Sequence, residues 1–469
     1  MRIRRMKKQF KQYIFCAPTG EYENFSNYPS RLTENVFGIL QKAGIRGIFG
    51  FGYDTREKTI QTTALLCEKY GLKYYPTLPI FGRYIQVADK DLRKAFCNLS
   101  EMELQKLDAE FVSEIKKLEQ YPAFGGIFFS DEQGFLAHEG IAYAKNLFDK
   151  HFQGYEFHYN FFSYSIDEPI FWGGMNACNP ENKPFLLEGE LEIKFENRFI
   201  YYDKLVEDLE NRADFEYMSQ DKYPFENFWD EVPNSVHVAL FELNAYFAQK
   251  KKKYGNKFYN YMQAGNWDGS SRQMTRGEMA LQMHVTAAYG ADGFAYFPGC
   301  FPLDWINQEY YRRAENGGSA LIDAQGNATV YAMWIGELNT FFREIEEDIL
   351  ESSLLGVTEF GNYDNGFTET FISTLPDNEC IFRGKLPDML RHTPEGVKLQ
   401  STNGVMLATF QRDNKKRYYV VNLSSVYKNE IKLQLPVGKY ICITEREKTS
   451  GVAFALELGA GEGAYIIEE

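Results

Sequence analysis

The sequence predicts an α/β protein, a (β/α)8 TIM barrel over residues 1–350 followed by an all-β sandwich over residues 351–469. Three observations predict it. Short apolar runs alternate eight times with helical patterns, the signature of parallel strands joined by crossover helices. Several of those helical patterns end in Gly just before the next run, as in KAGI, KYGL and AYGAD, where Gly adopts the left-handed conformation that stops a helix. After ATVYAMWIGELNTFFREIEEDIL the texture changes to short alternating runs punctuated by turns.

The eight strand runs are YIFCAPT, GIRGIFGFG, LKYYPTLP, FGGIFFSDE, YEFHYNFFS, FEYMSQD, KFYNYMQAG and DGFAYFPG. Between them lie the helical patterns TENVFGILQKAG, EKTIQTTALLCEKYG, DKDLRKAFCNLSEMELQKLDAEFVSEIKKLEQ, GIAYAKNLFDKHF, FIYYDKLVEDLEN and GEMALQMHVTAAYG. QKKKKYG reads as a solvated helix end. A doubly wound sheet is the competing architecture, but the turn after the first run, APTGEYEN, carries no GxGxxG phosphate loop. Beyond residue 351 the runs VMLATFQ, RYYVVNLS, EIKLQLPVG and AYIIEE read as sandwich strands.

Composition narrows the function. With 469 residues and 44% hydrophobic content the chain can bury a large core. A formal charge of −14 argues against a nucleic-acid or anionic-membrane surface, which needs concentrated Lys and Arg. The start MRIRRMKKQFKQYIFCAPTG is basic but lacks the apolar stretch of a secretory signal, and no run is long enough to span a bilayer, so a cytoplasmic protein is expected. The seven cysteines are scattered, without CxxC spacing, and the six histidines show no metal spacing, so neither a disulfide framework, nor a metal, nor a cofactor is expected. His138 reads as a surface residue and His284 as a packing residue. The aromatic content, 16%, fills the core for the most part; near a cleft such rings stack on sugar faces.

In such a barrel the reaction centre lies at the C-terminal ends of the strands, so the residues closing each run are the candidates. Strand four ends in Asp131 and Glu132, strand five holds Asn160, and strand six closes at Asp221 with Tyr223 just beyond. Strand seven offers Gln263, Asn266, Trp267 and Asp268, and strand two ends near Asp54. Acids from different strands, set among aromatic rings, suit glycosidic-bond cleavage, where one carboxylic acid protonates the leaving oxygen and a second carboxylate attacks or activates water. Asp131 and Glu132 alternate along an extended strand, so one of them is expected to touch the reacting centre and the other to orient it or bind a hydroxyl. Asp131 reads equally as a cap or support, Asp221 also as a turn former ahead of Pro224, and Trp267 either as a sugar platform or as packing.

The acid pair after strand four, DKYPF after strand six, YMQAGNW after strand seven and AAYGADGFAYF around strand eight resemble barrel glycoside hydrolases of the large β-galactosidase-like clan. That resemblance implies Glu132 as general acid/base, with Asp131 where the clan's supporting Asn usually stands. It also implies a nucleophilic Glu at the end of strand seven, where this chain has Gln263, and an amide can neither form a glycosyl ester nor act as a base. Asp221, then Asp268, are the candidates for the second carboxylate. Barrel hydrolases of α-galactosides and α-glucosides are similar in using acids after strands four and six, an arrangement that makes Asp131 the nucleophile and Asp221 the acid/base. A barrel that binds carbohydrate without cutting it is the alternative. The expectation taken forward is a glycoside hydrolase acting on small or imported oligosaccharides, with Glu132 and Asp221 as the working pair and the pKa of Glu132 raised by an apolar wall.

Overall fold

The computed structural model describes residues 8–18, 29–50, 56–85, 96, 99–161, 168–174, 198–225, 238–266, 273–301, 319–360 and 388–469. Trp267, Asp268 and Asp54 lie outside them.

All eight barrel runs form strands: β1 (Lys11–Ile14), β2 (Gly47–Gly50), β3 (Lys73–Pro76), β4 (Gly126–Asp131), β5 (Glu156–Asn160), β6 (Tyr217–Gln220), β7 (Lys257–Gln263) and β8 (Gly293–Phe297). Parallel ladders run β3-β2-β1-β8-β7-β6 and β4-β5. Two shorter seams close the ring. Tyr74 N donates to Ala123 O at 2.8 Å and Gly125 N to Tyr74 O at 3.0 Å between β3 and β4, and Phe161 N reaches Ser219 O at 3.4 Å between β5 and β6.

The helices α1 (Glu34–Lys42), α2 (Glu57–Tyr70), α3 (Glu101–Lys116), α4 (His138–His151), α5 (Glu168–Gly173), α6 (Arg198–Arg212), α7 (Leu243–Tyr254), α8 (Arg276–Ala288) and α9 (Val330–Leu350) accompany the strands. Local chemistry sets several ends. Ser100 with Glu103, and Thr275 with Glu278, form reciprocal capping boxes at the starts of α3 and α8. Gly71 (φ 68°) stops α2 in the left-handed conformation that KYGL foretells. None of the described helices is long and apolar enough to cross a membrane.

Alternation along each strand splits the core in two. Outward residues such as Ile127, Phe129, Phe157, Met218, Phe258 and Met262 pack under the helices. Inward residues fill the lumen with rings, among them Tyr13, Phe15, Phe49, Tyr75, Phe128, Tyr217, Tyr259 and Tyr261. The barrel interior is therefore packed, and any site must sit above it. At the floor, Glu156 Oε2 accepts from Tyr75 Oη at 2.8 Å, Tyr13 Oη at 3.0 Å and His158 Nε2 at 3.1 Å, while Oε1 pairs with Lys11. Burial works against the Glu156 charge, but His158 and Lys11 hold the carboxyl well below the usual range.

The strands after residue 350 are antiparallel, in sheets ordered β15-β14-β17-β12-β11-β9 and β10-β13-β16. Their spans are β9 (Ser353–Phe360), β10 (Lys398–Ser401), β11 (Val405–Arg412), β12 (Lys415–Asn422), β13 (Asn429–Gln434), β14 (Tyr440–Thr444), β15 (Lys448–Gly451), β16 (Ala453–Leu458) and β17 (Gly463–Glu468). Val405, Leu407, Tyr418 and Val420 face the second sheet and its Ile431, Leu433, Leu456 and Leu458. Their neighbours Met406, Ala408, Tyr419 and Val421 join the barrel-side core. The larger sheet is thus buried on both faces, sandwiched between its partner and the barrel.

Candidate functional site

Strand β4 does not keep its alternation to the end. A bulge between Phe128 and Ser130 resets the pairing so that Ser130 faces Tyr159 and Asp131 faces Asn160 on β5. Phe128 stays in the lumen cluster, and Asp131 arrives above it, 7% exposed. Glu132 then leaves the strand at φ 49°, in the left-handed region, while its N–H still donates to Asn160 O at 3.0 Å. This corrects the expectation that the two acids point to opposite faces of a straight strand: the chain turns between them. The turn is clasped from outside. A Cβ on Gly134 would lie 2.4 Å from Gly174 N, and one on Gly174 (φ 58°) would lie 2.2 Å from Glu132 O, so both positions need glycine. Tyr159, on the outer face of β5, anchors the same turn by accepting from Gln133 N at 3.2 Å and donating to Gln133 O at 3.1 Å.

The carboxyl of Asp131 is tied to the lumen side of β5 and β6. Asn160 Nδ2 donates to Asp131 Oδ1 at 2.9 Å, and Ser219 Oγ donates to Asn160 Oδ1 at 2.8 Å. Burial first, and the charge of Asp221 second, raise Asp131 well above the usual carboxylate range, against the opposing Asn160 hydrogen bond. Such a shift is carried at this mouth by Asp131. Glu132 and Asp221 are half-buried. The charges of Asp131, Glu132 and Asp221 all raise the phenols of Tyr159 and Tyr223 further than burial alone does, so the three acids share one small region at the tips of β4 and β6. Its wall is aromatic: Tyr223 stacks on Phe297 with ring centroids 5.4 Å apart and planes at 25°, and Phe297 in turn lies 5.7 Å from Phe15.

The amides of strand seven are engaged with the chain. Gln263 is fully buried; its Oε1 accepts from Phe225 N at 2.9 Å and its Nε2 donates to Phe225 O at 3.1 Å. Asn266 is buried as well, with Oδ1 accepting from Ser319 Oγ. Asn160, also buried, serves Asp131. Gln263, Asn266 and Asn160, expected to touch substrate, are each buried and hydrogen-bonded to the chain. His138 is likewise not a surface residue: it is buried, with Nδ1 2.9 Å from Asp208 Oδ2.

Sequence reasoning missed Ser219, Gly134, Gly174 and the floor pair Glu156 and His158. One signal was present. In EFHYN the polar residues 156, 158 and 160 alternate with Phe157 and Tyr159, which marks a strand with one polar face turned into a barrel.

No family model and no curated protein sequence matches the chain. Among solved structures it is similar to a glycoside hydrolase family 5 protein from Bacteroides vulgatus, with TM-score 0.52, 8% identity, and 98% of this chain and 89% of that one covered. It is similar also to a catalytic mutant of a GH42 β-galactosidase from G. stearothermophilus, with TM-score 0.51, 9% identity, and 98% of each chain covered. At such identities the likeness shows the fold, a barrel with its β-sandwich.

Proposed function

We propose that the protein is a glycoside hydrolase, with its reaction centre in the barrel of residues 1–350 and residues 351–469 in a supporting role. The observation that carries this reading is the crowding of Asp131, Glu132 and Asp221 at one mouth, where burial and the charge of Asp221 raise Asp131 well above the usual carboxylate range. Cleaving a glycosidic bond needs a proton donor and an ionised carboxylate flanking the same bond. Glu132, more exposed than Asp131, is the general acid, and Asp221 on β6 is the nucleophile or base. Asp131, kept neutral, spares Asp221 the repulsion of a second charge and donates a hydrogen bond to the sugar or to Asp221. Tyr223, stacked on Phe297, is a sugar platform, joined in that role by Trp267. The shared fold with two glycoside hydrolases supports the reaction class. Small or imported glycosides are the proposed substrates.

A panel of aryl glycosides of varied sugar, anomer and leaving group tests this. Wild type turns over at least one. Glu132→Gln lowers kcat by ~10²–10⁴ on poor leaving groups and less on activated ones, which need little protonation. Asp221→Asn loses rate on both. Wild-type rates in both variants overturn the assignment, and sugar binding without turnover across the panel overturns the hydrolase reading in favour of a carbohydrate-binding barrel.

A further inference from the structure

We propose that Asn160 is a positioning residue: set by Ser219, it reserves one oxygen of Asp131 as an acceptor and so confines the proton of Asp131 to the other. Asn160 Nδ2 donates to Asp131 Oδ1 at 2.9 Å, and the Asn160 carbonyl oxygen, which can only accept, takes the Ser219 hydroxyl proton at 2.8 Å. An N–H bonds a carbonyl-type oxygen more strongly than the oxygen of a C–OH, so this orientation favours the tautomer with Oδ1 as carbonyl and the proton on Oδ2. The two residues come from different strands, β5 and β6, and the bulge in β4 is what sets Asp131 opposite Asn160. The barrel wall itself thus sorts the proton.

The titratable groups that interact electrostatically with Asp131 are Asp221 and Tyr223 from the tip of β6, Tyr159 from β5 and Tyr259 and Tyr261 from β7, with Glu132 next in the chain. Every one of those phenols is raised by burial and stays neutral, which leaves the carboxyls as the groups that change charge around the proton. The amide favours the ionised form of Asp131, while burial and Asp221 favour the neutral one. Removing the amide therefore moves the loss of the proton to higher pH.

Infrared difference spectra of wild type against Asp131→Asn test this without any substrate. Wild type shows a protonated-carboxyl C=O band that Asp131→Asn lacks and that disappears as the pH rises. In Asn160→Ala that band shifts toward an unbonded carbonyl and persists to higher pH; Ser219→Ala moves it the same way by less, and Ser219→Thr, which keeps the hydroxyl, restores it. Absence of the band in wild type at every pH, or a band unmoved in both Asn160→Ala and Ser219→Ala, overturns the proposal. Should Asn160→Ala fail to fold, Ser219→Ala decides. An activity arm rests on the glycosidase reading: with a substrate in hand, Asn160→Ala lowers kcat/KM by on the order of tenfold and moves the alkaline limb of the profile to higher pH. Lack of turnover would sink that reading while leaving the infrared result to judge Asn160.

Discussion

Glu132 is held at φ 49°, where a non-glycine side chain crowds its own backbone. The cost, ~1–2 kcal/mol, is borne because Asn160 O fixes its N–H and the glycines at 134 and 174 press on the turn from outside. Strain of this kind collects at functional turns, and here it aims the acid away from the path a straight strand would give it. The comparison of two substitutions isolates it. Glu132→Gly removes side chain and strain together, whereas Glu132→Ala removes only the side chain beyond Cβ. Glu132→Gly is expected to match or exceed Glu132→Ala in stability despite the usual entropic cost of glycine. Denaturant midpoints measure it, and a Glu132→Gly protein ~1 kcal/mol less stable than Glu132→Ala would show the turn to be unstrained.

Helices α6 and α7 pack through a charged seam. Lys250 reaches Asp203 Oδ1 at 3.1 Å and Glu207 Oε1 at 3.2 Å, while the carboxyl oxygens of Glu210 are buried with no hydrogen-bond partner. Burial lifts Glu210 from 4.5 to about 7, with Glu207 and Asp203 adding and Lys250 and Lys253 opposing. Its folded-state value lies above its unfolded one, so the stability that goes with the neutral form is full below pH ~4.5 and is lost as the pH rises to ~7. Glu210→Met is expected to flatten stability across that window and to gain on the order of 2–3 kcal/mol at pH 8. An unchanged pH dependence of Tm would discount it. These elements also show what the sequence made legible. The eight strands were readable because short runs rich in apolar and aromatic residues alternate with helical patterns. Of α7, the solvated end read in QKKKKYG holds for Lys252 to Gly255 but not for the buried Lys250, and Leu243 to Ala248 are buried all round and leave no amphipathic stripe. The tips of β4 and β6 were readable as acids on nearby strands; the bulge, the left-handed turn and the Ser219–Asn160–Asp131 chain were not, because each depends on contacts with other elements of the barrel wall.

At the scale of the whole molecule, barrel and sandwich meet at α8. His284, fully buried, bonds Tyr419 Oη through Nδ1 at 2.7 Å and Glu445 Oε1 through Nε2 at 3.1 Å, and Arg276 closes on Glu445 Oε2 at 2.7 Å. A Cβ on Gly463 would lie 2.5 Å from His284 Nδ1, so the sandwich approaches as closely as glycine allows. Removing one partner of a buried ionic cluster leaves the others uncompensated, and Glu445→Ala is expected to cost ~3 kcal/mol, read by denaturant unfolding; a loss under ~1 kcal/mol would mean that the apolar contacts alone join the two parts. The barrel spends its side chains in a similar way at Gln263. Its carboxamide grips the Phe225 peptide at two points, and Phe225 lies in the loop that begins with Asp221 and Tyr223. Writing a carboxylate into that position by Gln263→Glu would not give strand seven a nucleophile. It would set a negative oxygen against the Phe225 carbonyl and loosen the loop that carries Asp221. What looks, by its chemistry, like a decommissioned catalyst is a rivet, and drilling it out would loosen the machine.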